Sequence, residues 1–102
     1  MFFHLLLINK MNSKTIILKI KNKLGIHARP ASVFVRLAST FDSDISIEKD
    51  GEHVNGKSLI GLLMLAAGHN STIKISADGR DSEEAIDALE KLVNSNVEFN
   101  EE

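Results

Sequence analysis

Residues 14–38 read KTIILKIKNKLGIHARPASVFVRLA, and within them the spacing of apolar residues changes from that of a strand to that of a helix. Apolar side chains first recur at every second position, which predicts a strand with one buried face made of Ile16, Leu18 and Ile20. Beyond the turn at Asn22–Gly25 the spacing becomes three or four residues, as on the buried stripe of a helix made of Ala31, Phe34, Leu37, Ala38 and Phe41. Pro30 suits the first turn of that helix, because its missing N–H costs nothing there. The stretch therefore predicts a strand, a turn and a helix.

The middle of the chain predicts a hairpin and a short helix. Ile45 and Ile47 alternate with polar residues in a second strand, and Asp50-Gly51 is a strong signal for a two-residue turn into a third strand at 52–55. A helix is expected over 58–66. It carries two apolar stripes, one expected in the core (Leu59, Leu62, Leu63 and Ala66) and one beside it (Ile60, Met64 and Ala67).

The last third of the chain predicts one more strand and one more helix. Ile73, Ile75 and Ala77 alternate with polar residues, and Asp78-Gly79 ends that strand. Asp81 or Ser82 is expected to cap the last helix, with Glu84 in a capping box. The apolar stripe of this helix holds Ala85, Ala88, Leu89, Leu92 and Val93.

The order of these elements, βαββαβα, decides the fold class. Strands with a single apolar face are typical of an antiparallel sheet that has helices on one face and water on the other. We expect an α+β open-faced β-sandwich, with a four-stranded antiparallel sheet and three helices on one face. The periodic pattern begins only after Met11. Residues 1–11 are therefore interpreted as an N-terminal extension outside the fold, and residues 12–102 as the domain.

Length and composition limit the classes of function. The 102 residues leave room for one core, and 43% hydrophobic with 25% charged residues is ordinary for a globular protein. A net charge of −2 without a basic cluster argues against nucleic acid as a partner. The chain has no cysteine, which excludes disulfides and thiol nucleophiles and suits the cytoplasm, where we expect the protein. The apolar run in residues 1–10 falls short of the roughly 20 residues that span a bilayer, so membrane insertion is not expected.

His27 has a position that favours chemistry on phosphate. It lies between the first strand and the first helix, where free N–H groups and the helix dipole attract an anion. A neutral imidazole is nucleophilic near pH 7, and Arg29 offers a planar guanidinium that can hold phosphate oxygens. The pair predicts a transient phosphohistidine.

Two other interpretations of the histidines remain open on spacing alone. A loop histidine is usually an ordinary surface residue, and His4, His53 and His69 lack a suggestive acid, thiol or ligand neighbour. A metal-dependent enzyme built from His27, His53 and His69 would need a ligand spacing that the chain does not show. We therefore expect neither a metal nor a cofactor.

Two motifs resemble those of a known family. KNKLGIHARPAS at 21–32 resembles the active-site signature of the histidine-containing phosphocarrier proteins (HPr) of the bacterial sugar phosphotransferase system. VNGKSLIGLLMLAAG at 54–68 resembles the second signature of that family, around a regulatory serine. LLML at 62–65 and the C-terminal LVNSNVEFNEE are closer to the nitrogen-related branch, whereas VNGKSLIG is closer to carriers modified by a serine kinase, so both branches stay open.

The resemblance implies a function and a set of partners. His27 would be phosphorylated on Nδ1 by enzyme I and would pass the phosphoryl group to EIIA-type domains, with Arg29 assisting. Ser58 matches the serine that an HPr kinase/phosphorylase modifies in some bacteria. The protein would then be a monomeric carrier and not a stand-alone enzyme. The alternative is a regulatory binding module, in the nitrogen-related or catabolite-control branch, that acts mainly through docking.

The second predicted helix indicates a docking surface. A helix this short cannot bury both apolar stripes under a small sheet, so part of it should be exposed beside the reactive loop. The expected docking residues are Leu59, Ile60, Leu63 and Met64. The alternative is that both stripes belong to the core.

Overall fold

A computed structural model describes residues 12–21, 25–65 and 67–95. The elements follow the predicted order, with strands β1 (Ser13–Lys19), β2 (Asp44–Lys49), β3 (Glu52–Asn55) and β4 (Thr72–Asp78) and helices α1 (Ala28–Ala38), α2 (Leu59–Leu65) and α3 (Ser82–Val93). The predicted extension (1–11), most of the first turn (22–24), Ala66 and the C-terminal residues 96–102 lie outside the described residues.

The four strands form one antiparallel sheet in the order β1-β4-β2-β3. The helices cover one face of it, so the predicted open-faced α+β fold is confirmed. The alternation in β1 also holds, since Leu18 is buried whereas Ile17, on the open face, is 65% exposed. The Asp50-Gly51 turn has the positive φ angles, 52° and 86°, that the hairpin requires.

The core lies between the sheet and the helices. It contains the alternating residues of the strands and one stripe from each helix, and its largest fully buried side chains include Ile20, Phe34, Ile47, Leu62, Ile73, Ile75 and Leu89. In α3 the buried stripe includes Ile86, which was not predicted, whereas Ala88 is only half-buried.

The prediction for the core face of α2 was partly wrong. Leu59 and Leu63 were expected inside, but their exposed fractions are 40% and 37%. The helix is only seven residues long and turns Leu62 and Leu65 inward, three positions apart. The chain after α2 then brings Ala67 into the core, at 1% exposure, although that residue was assigned to the outer stripe.

The predicted cap of α3 was also wrong in its chemistry. Asp81 occupies the N-cap position, but its carboxylate makes no capping hydrogen bond to the helix. It turns to the loop after α1 instead, where it accepts hydrogen bonds from the N–H groups of Asp42 and Ser43. The carboxylate is therefore used to join two loops and not to cap the helix.

Candidate functional site

His27 stands at the N-cap position of α1. Its backbone is extended (φ −121°, ψ −164°), and its carbonyl accepts the first helical hydrogen bond from the N–H of Ala31 at 2.9 Å. The imidazole does not cap the helix. Its Nε2 atom is shielded from solvent although the residue as a whole is half-exposed.

The first turn of α1 suits an anion next to this imidazole. It contains no acidic residue, and Arg29 lies in it, exposed, two positions after His27. N–H groups at a helix start carry a partial positive charge, so phosphate oxygens would be stabilised there. In the last turn of α1, Arg36 donates from Nη1 to the hydroxyl of Ser32 at 3.0 Å.

The loop that carries His27 is joined to the turn after α2 by backbone hydrogen bonds. The N–H of Ile26 donates to the carbonyl of Ala67 at 2.8 Å. Ile20 exchanges two further bonds with the same turn, donating to the carbonyl of Ser71 and accepting from the N–H of Asn70, both at 2.8 Å. Asn70 has φ +70°, the left-handed conformation expected from its residue type.

Ser58 caps the start of α2. Its hydroxyl oxygen accepts a hydrogen bond from the N–H of Gly61 at 3.0 Å, and its carbonyl accepts one from Leu62. The preceding Lys57 reaches back to the loop after α1, where its Nζ donates to the carbonyl of Phe41 at 2.8 Å. The hydroxyl is half-buried at the edge of the exposed helix face.

The four predicted docking residues lie on the exposed part of α2. Ile60 and Met64 are 67% and 76% exposed, and with Leu59 and Leu63 they are the large exposed hydrophobic residues of the described chain apart from Ile17. We call these four residues the α2 patch. α1 packs against α2, and Ile26, the residue before His27, is bonded to Ala67 in the turn that follows the α2 patch.

His53 and His69 are not grouped with His27. His53 lies on the open face of the sheet, with its Nε2 3.7 Å from a carboxylate oxygen of Glu48, and His69 is exposed in the turn after α2. Within 12–21, 25–65 and 67–95, no group of three or more histidine, aspartate or glutamate side chains is placed to hold a metal ion. No helix among these residues is long and apolar enough to cross a membrane.

One part of the site had little signal in the sequence. The carbonyl of Ala67 accepts the hydrogen bond from Ile26 that holds the loop carrying His27. Every residue has a backbone carbonyl, so the residue type at position 67 could not predict this contact. The residue type that could have indicated the contact is Gly25, which precedes Ile26 and has φ +73°. A glycine two residues before the candidate histidine could have indicated a close backbone approach.

Comparisons with known proteins agree with this geometry. The family model for the PTS HPr component phosphorylation site matches residues 14–95. The HPr-like protein Crh of Halalkalibacterium halodurans is 51% identical over 71 residues, covering 70% of this chain and 84% of Crh. The phosphocarrier protein HPr of Neisseria meningitidis is 46% identical over 77 residues, covering 76% of this chain and 86% of that protein.

Solved structures are similar as well. The crystal structure of HPr from Thermoanaerobacter tengcongensis superposes with a TM-score of 0.81 at 48% identity, covering 87% of this chain and 98% of that chain. A dimer of HPr from the same organism is similar too, with a TM-score of 0.68 at 48% identity over 86% of this chain and 99% of that chain.

Proposed function

This chain belongs to the HPr family of the phosphotransferase system, and from that premise we propose that it is a phosphoryl carrier whose His27 is phosphorylated and dephosphorylated in turn. It accepts the group from phospho-enzyme I and delivers it to EIIA-type domains in the cytoplasm, without acting as an enzyme alone. The observation that carries the proposal is the position of His27 at the start of α1, beside a first turn without acidic residues.

The transfer step uses Nδ1 of His27 as the nucleophile. The lone pair of Nδ1 attacks the phosphorus atom of the phosphohistidine of enzyme I, so that a new N–P bond forms as the N–P bond of the donor breaks. Both electrons of the broken bond return to the imidazole of the donor. In the second transfer, a histidine of an EIIA-type domain attacks the same phosphorus atom, and His27 returns to its unphosphorylated form. The shielding of Nε2 supports Nδ1 as the nucleophile.

Arg29 supplies the charge that the transferred group needs. The phosphoryl group carries negative charge on its three oxygens through the transfer, and a guanidinium can hold two of them in a fork. Arg29 is exposed, so it can turn toward the incoming group without breaking the core.

The α2 patch is the docking surface in this proposal, and Ser58 is its regulatory site. Phosphorylation would add about −1.5 to −2 charges to a hydroxyl that stands directly before Leu59 and Ile60. A partner that covers the α2 patch with apolar or acidic groups would lose affinity by desolvation and repulsion. An HPr kinase/phosphorylase is then the third partner.

A regulatory module is the second candidate, because a Crh protein is among the relatives with 51% identity. Such a module would act through docking and Ser58, with little phosphoryl flux. The presence of both His27 and Arg29 favours the carrier, since docking alone needs neither.

We also propose that the carrier works as a monomer. The alternative is a dimer, because an HPr dimer is among the similar structures. Light scattering after gel filtration measures the molar mass and distinguishes monomer from dimer.

One experiment tests the carrier function. The protein is incubated with phosphoenolpyruvate and enzyme I, and the product is treated with acid or with base. We expect one phosphate per chain that is lost in acid and kept in base, as a phosphohistidine requires. No incorporation would contradict the carrier proposal and leave the regulatory module.

A second experiment tests Ser58. Protein carrying stoichiometric phosphoserine at 58 should show a raised apparent KM with enzyme I and an unchanged maximal rate. Ser58→Ala, which lacks the hydroxyl, is the control and should transfer normally. Wild-type kinetics of the phosphoserine form would leave Ser58 as a helix cap only.

A further inference from the structure

Gly25 meets the backbone after α2 so closely that no side chain fits between them. A Cβ atom at position 25 would lie 2.6 Å from the carbonyl oxygen of Ala67 and 2.6 Å from the Cα of Gly68. Both neighbours are backbone atoms, so a rotamer change cannot relieve the overlap. The φ of Gly25, +73°, is also one that other residues rarely adopt.

The next residue fixes the same contact by a hydrogen bond. The N–H of Ile26 donates to the carbonyl of Ala67 at 2.8 Å, and the side chains of both residues are buried, at 6% and 1% exposure. We call the contact of Gly25 and Ile26 with Ala67 and Gly68 the joint. It combines steric contact, a hydrogen bond and core packing within four residues.

The joint lies between the two parts of the surface that a partner must meet together. His27 is two positions after Gly25, and Met64 of the α2 patch is three positions before Ala67. A docked partner brings its own reacting atom to a place fixed by the α2 patch, so the imidazole must stand at a set distance from that patch. The joint therefore connects the two chain segments that carry them.

We propose that Gly25 is a positioning residue for phosphoryl transfer, which sets the place of the His27 imidazole relative to the α2 patch. The inference rests on the proposed carrier function and adds a residue to it. An alanine at 25 would have to move away from Ala67 by about 0.8 Å to reach an ordinary contact of 3.4 Å. A misplacement of about 1 Å can slow a reaction roughly 100-fold, because the reacting atoms must be in near-attack geometry.

The test compares Gly25→Ala with Gly51→Ala. Gly51, in the turn between β2 and β3, is the matched control, because it also has a positive φ (+86°) but a Cβ there would have no atom within 4 Å. Both variants are phosphorylated by phospho-enzyme I and, separately, by phosphoramidate, a small donor that loses ammonia as its phosphoryl group passes to imidazole and that needs no docking surface. For Gly25→Ala we expect the maximal rate with enzyme I to fall roughly 10- to 100-fold at an unchanged KM. Its rate with phosphoramidate, and both rates of Gly51→Ala, should stay within about twofold of wild type.

A purely structural role would give a different pattern. Equal slowing with both donors would mean that the variant damages the imidazole environment itself, and an unchanged rate with enzyme I would mean that the joint positions nothing. Either result overturns the inference. Wild-type protein that takes no phosphate from enzyme I would overturn the proposed function, and this inference with it.

A second variant keeps the test decisive if Gly25→Ala does not fold. Replacing the amide N–H of Ile26 by an ester oxygen removes the donor to Ala67 and keeps the side chain and the glycine. We expect this protein to lose several-fold in maximal rate with enzyme I and nothing with phosphoramidate. A wild-type rate with enzyme I would overturn the proposal.

Discussion

The two ends of the sheet are held together by different chemistry. At the end that carries His27, which we call the reactive end after its proposed function, β1 finishes and β4 begins. There the loop before α1 and the turn after α2 are joined by backbone hydrogen bonds made by Ile20 and Ile26. At the opposite end, where Asn12 is bonded to Gly79, a side chain joins the loops. There the carboxylate of Asp81 accepts from the N–H of Asp42 at 2.8 Å and from the N–H and hydroxyl of Ser43 at 2.9 and 2.5 Å. We call this second contact the Asp81 clamp.

The difference separates activity from stability along the molecule. At the reactive end the loops are joined by backbone hydrogen bonds, which do not depend on the side chains of His27 and Arg29. Ser43, by contrast, is 1% exposed and depends on Asp81 to accept from its buried polar groups. We therefore expect substitutions at His27 and Arg29 to change transfer, and substitutions at Asp81 to change stability.

The largest effect is expected for His27→Ala, which should abolish phosphorylation and leave Tm within a few degrees of wild type. His27 is only half-exposed, but its ring does not cap α1, so the helix start keeps its bonds. Radiolabel transfer from phosphoenolpyruvate and thermal unfolding by circular dichroism are the two measurements. His69→Ala, in the neighbouring turn, is the control and should retain full transfer. A large fall in Tm for His27→Ala would show that His27 stabilises the fold, and would contradict the expected separation of activity from stability.

Arg29→Lys should have the next largest effect, a slowing of transfer by roughly 10- to 100-fold at a similar KM. Lysine keeps the charge but loses the planar fork for two phosphate oxygens. Rapid-quench kinetics with phospho-enzyme I measures it. Arg36→Lys, in the same helix and bonded to Ser32, should change little. Equal maximal rates for Arg29→Lys and wild type would remove Arg29 from the transfer step.

For the Asp81 clamp we expect the reverse pattern. Asp81→Asn replaces one acceptor oxygen by an NH2 donor, which then faces either the N–H of Asp42 or the N–H and hydroxyl of Ser43. Two opposed donors lose a hydrogen bond, so Tm should fall by roughly 5 to 10 °C. Transfer measured well below Tm should be unchanged. Asp87→Asn, exposed on α3, is the control for the lost charge and should keep its Tm. If Asp81→Asn kept its Tm but lost transfer, the Asp81 clamp would contribute to activity and not to stability, contrary to this expectation.

The sequence predicted the fold well because period-two and helical spacings each report one buried face. It failed where geometry depends on partners distant in the chain. The phase of α2 is set by what Leu62 and Leu65 pack against, so Leu59 and Leu63 were assigned to the wrong side. Asp81 had the right residue type for a cap, but Ser43, 38 positions earlier, competes for its carboxylate.

The site follows the same division. His27 and Arg29 could be predicted as candidate site residues from their side-chain chemistry and position, and Ser58 from the resemblance of its segment to a family motif. The joint was invisible because its acceptor is a backbone carbonyl, brought near by the packing of α2. Residue type reports what a side chain can do, whereas a contact between two main-chain segments appears only in the folded chain.

Acid should weaken the clamp. The hydrogen bond from the hydroxyl of Ser43, followed by that from the N–H of Asp42, lowers the pKa of Asp81 below its usual value. A carboxyl whose pKa is lower in the folded state stabilises the protein above its unfolded pKa of about 3.9, and this contribution is lost as the pH falls through the folded pKa. The difference in Tm between wild type and Asp81→Asn should therefore be largest near neutral pH and shrink below about pH 4. A difference that stays constant down to pH 2 would mean that ionisation of Asp81 contributes nothing.

The smallest effect is expected for Arg80→Ala, next to the clamp. Arg80 donates from Nη2 to a carboxylate oxygen of Asp42, and this pairing raises the pKa of the guanidinium, which is charged at any working pH. Both side chains are largely exposed, at 83% and 67%, and exposed pairs contribute little because water and salt screen them. The bond that matters to the clamp comes from the backbone N–H of Asp42, which the substitution leaves in place. We expect Tm to change by no more than roughly 2 °C, without dependence on added salt, by differential scanning calorimetry. A loss as large as that of Asp81→Asn would show that this end is held by its ion pair, and that the contrast with the reactive end lies in charge and not in the hydrogen bonds of Asp81.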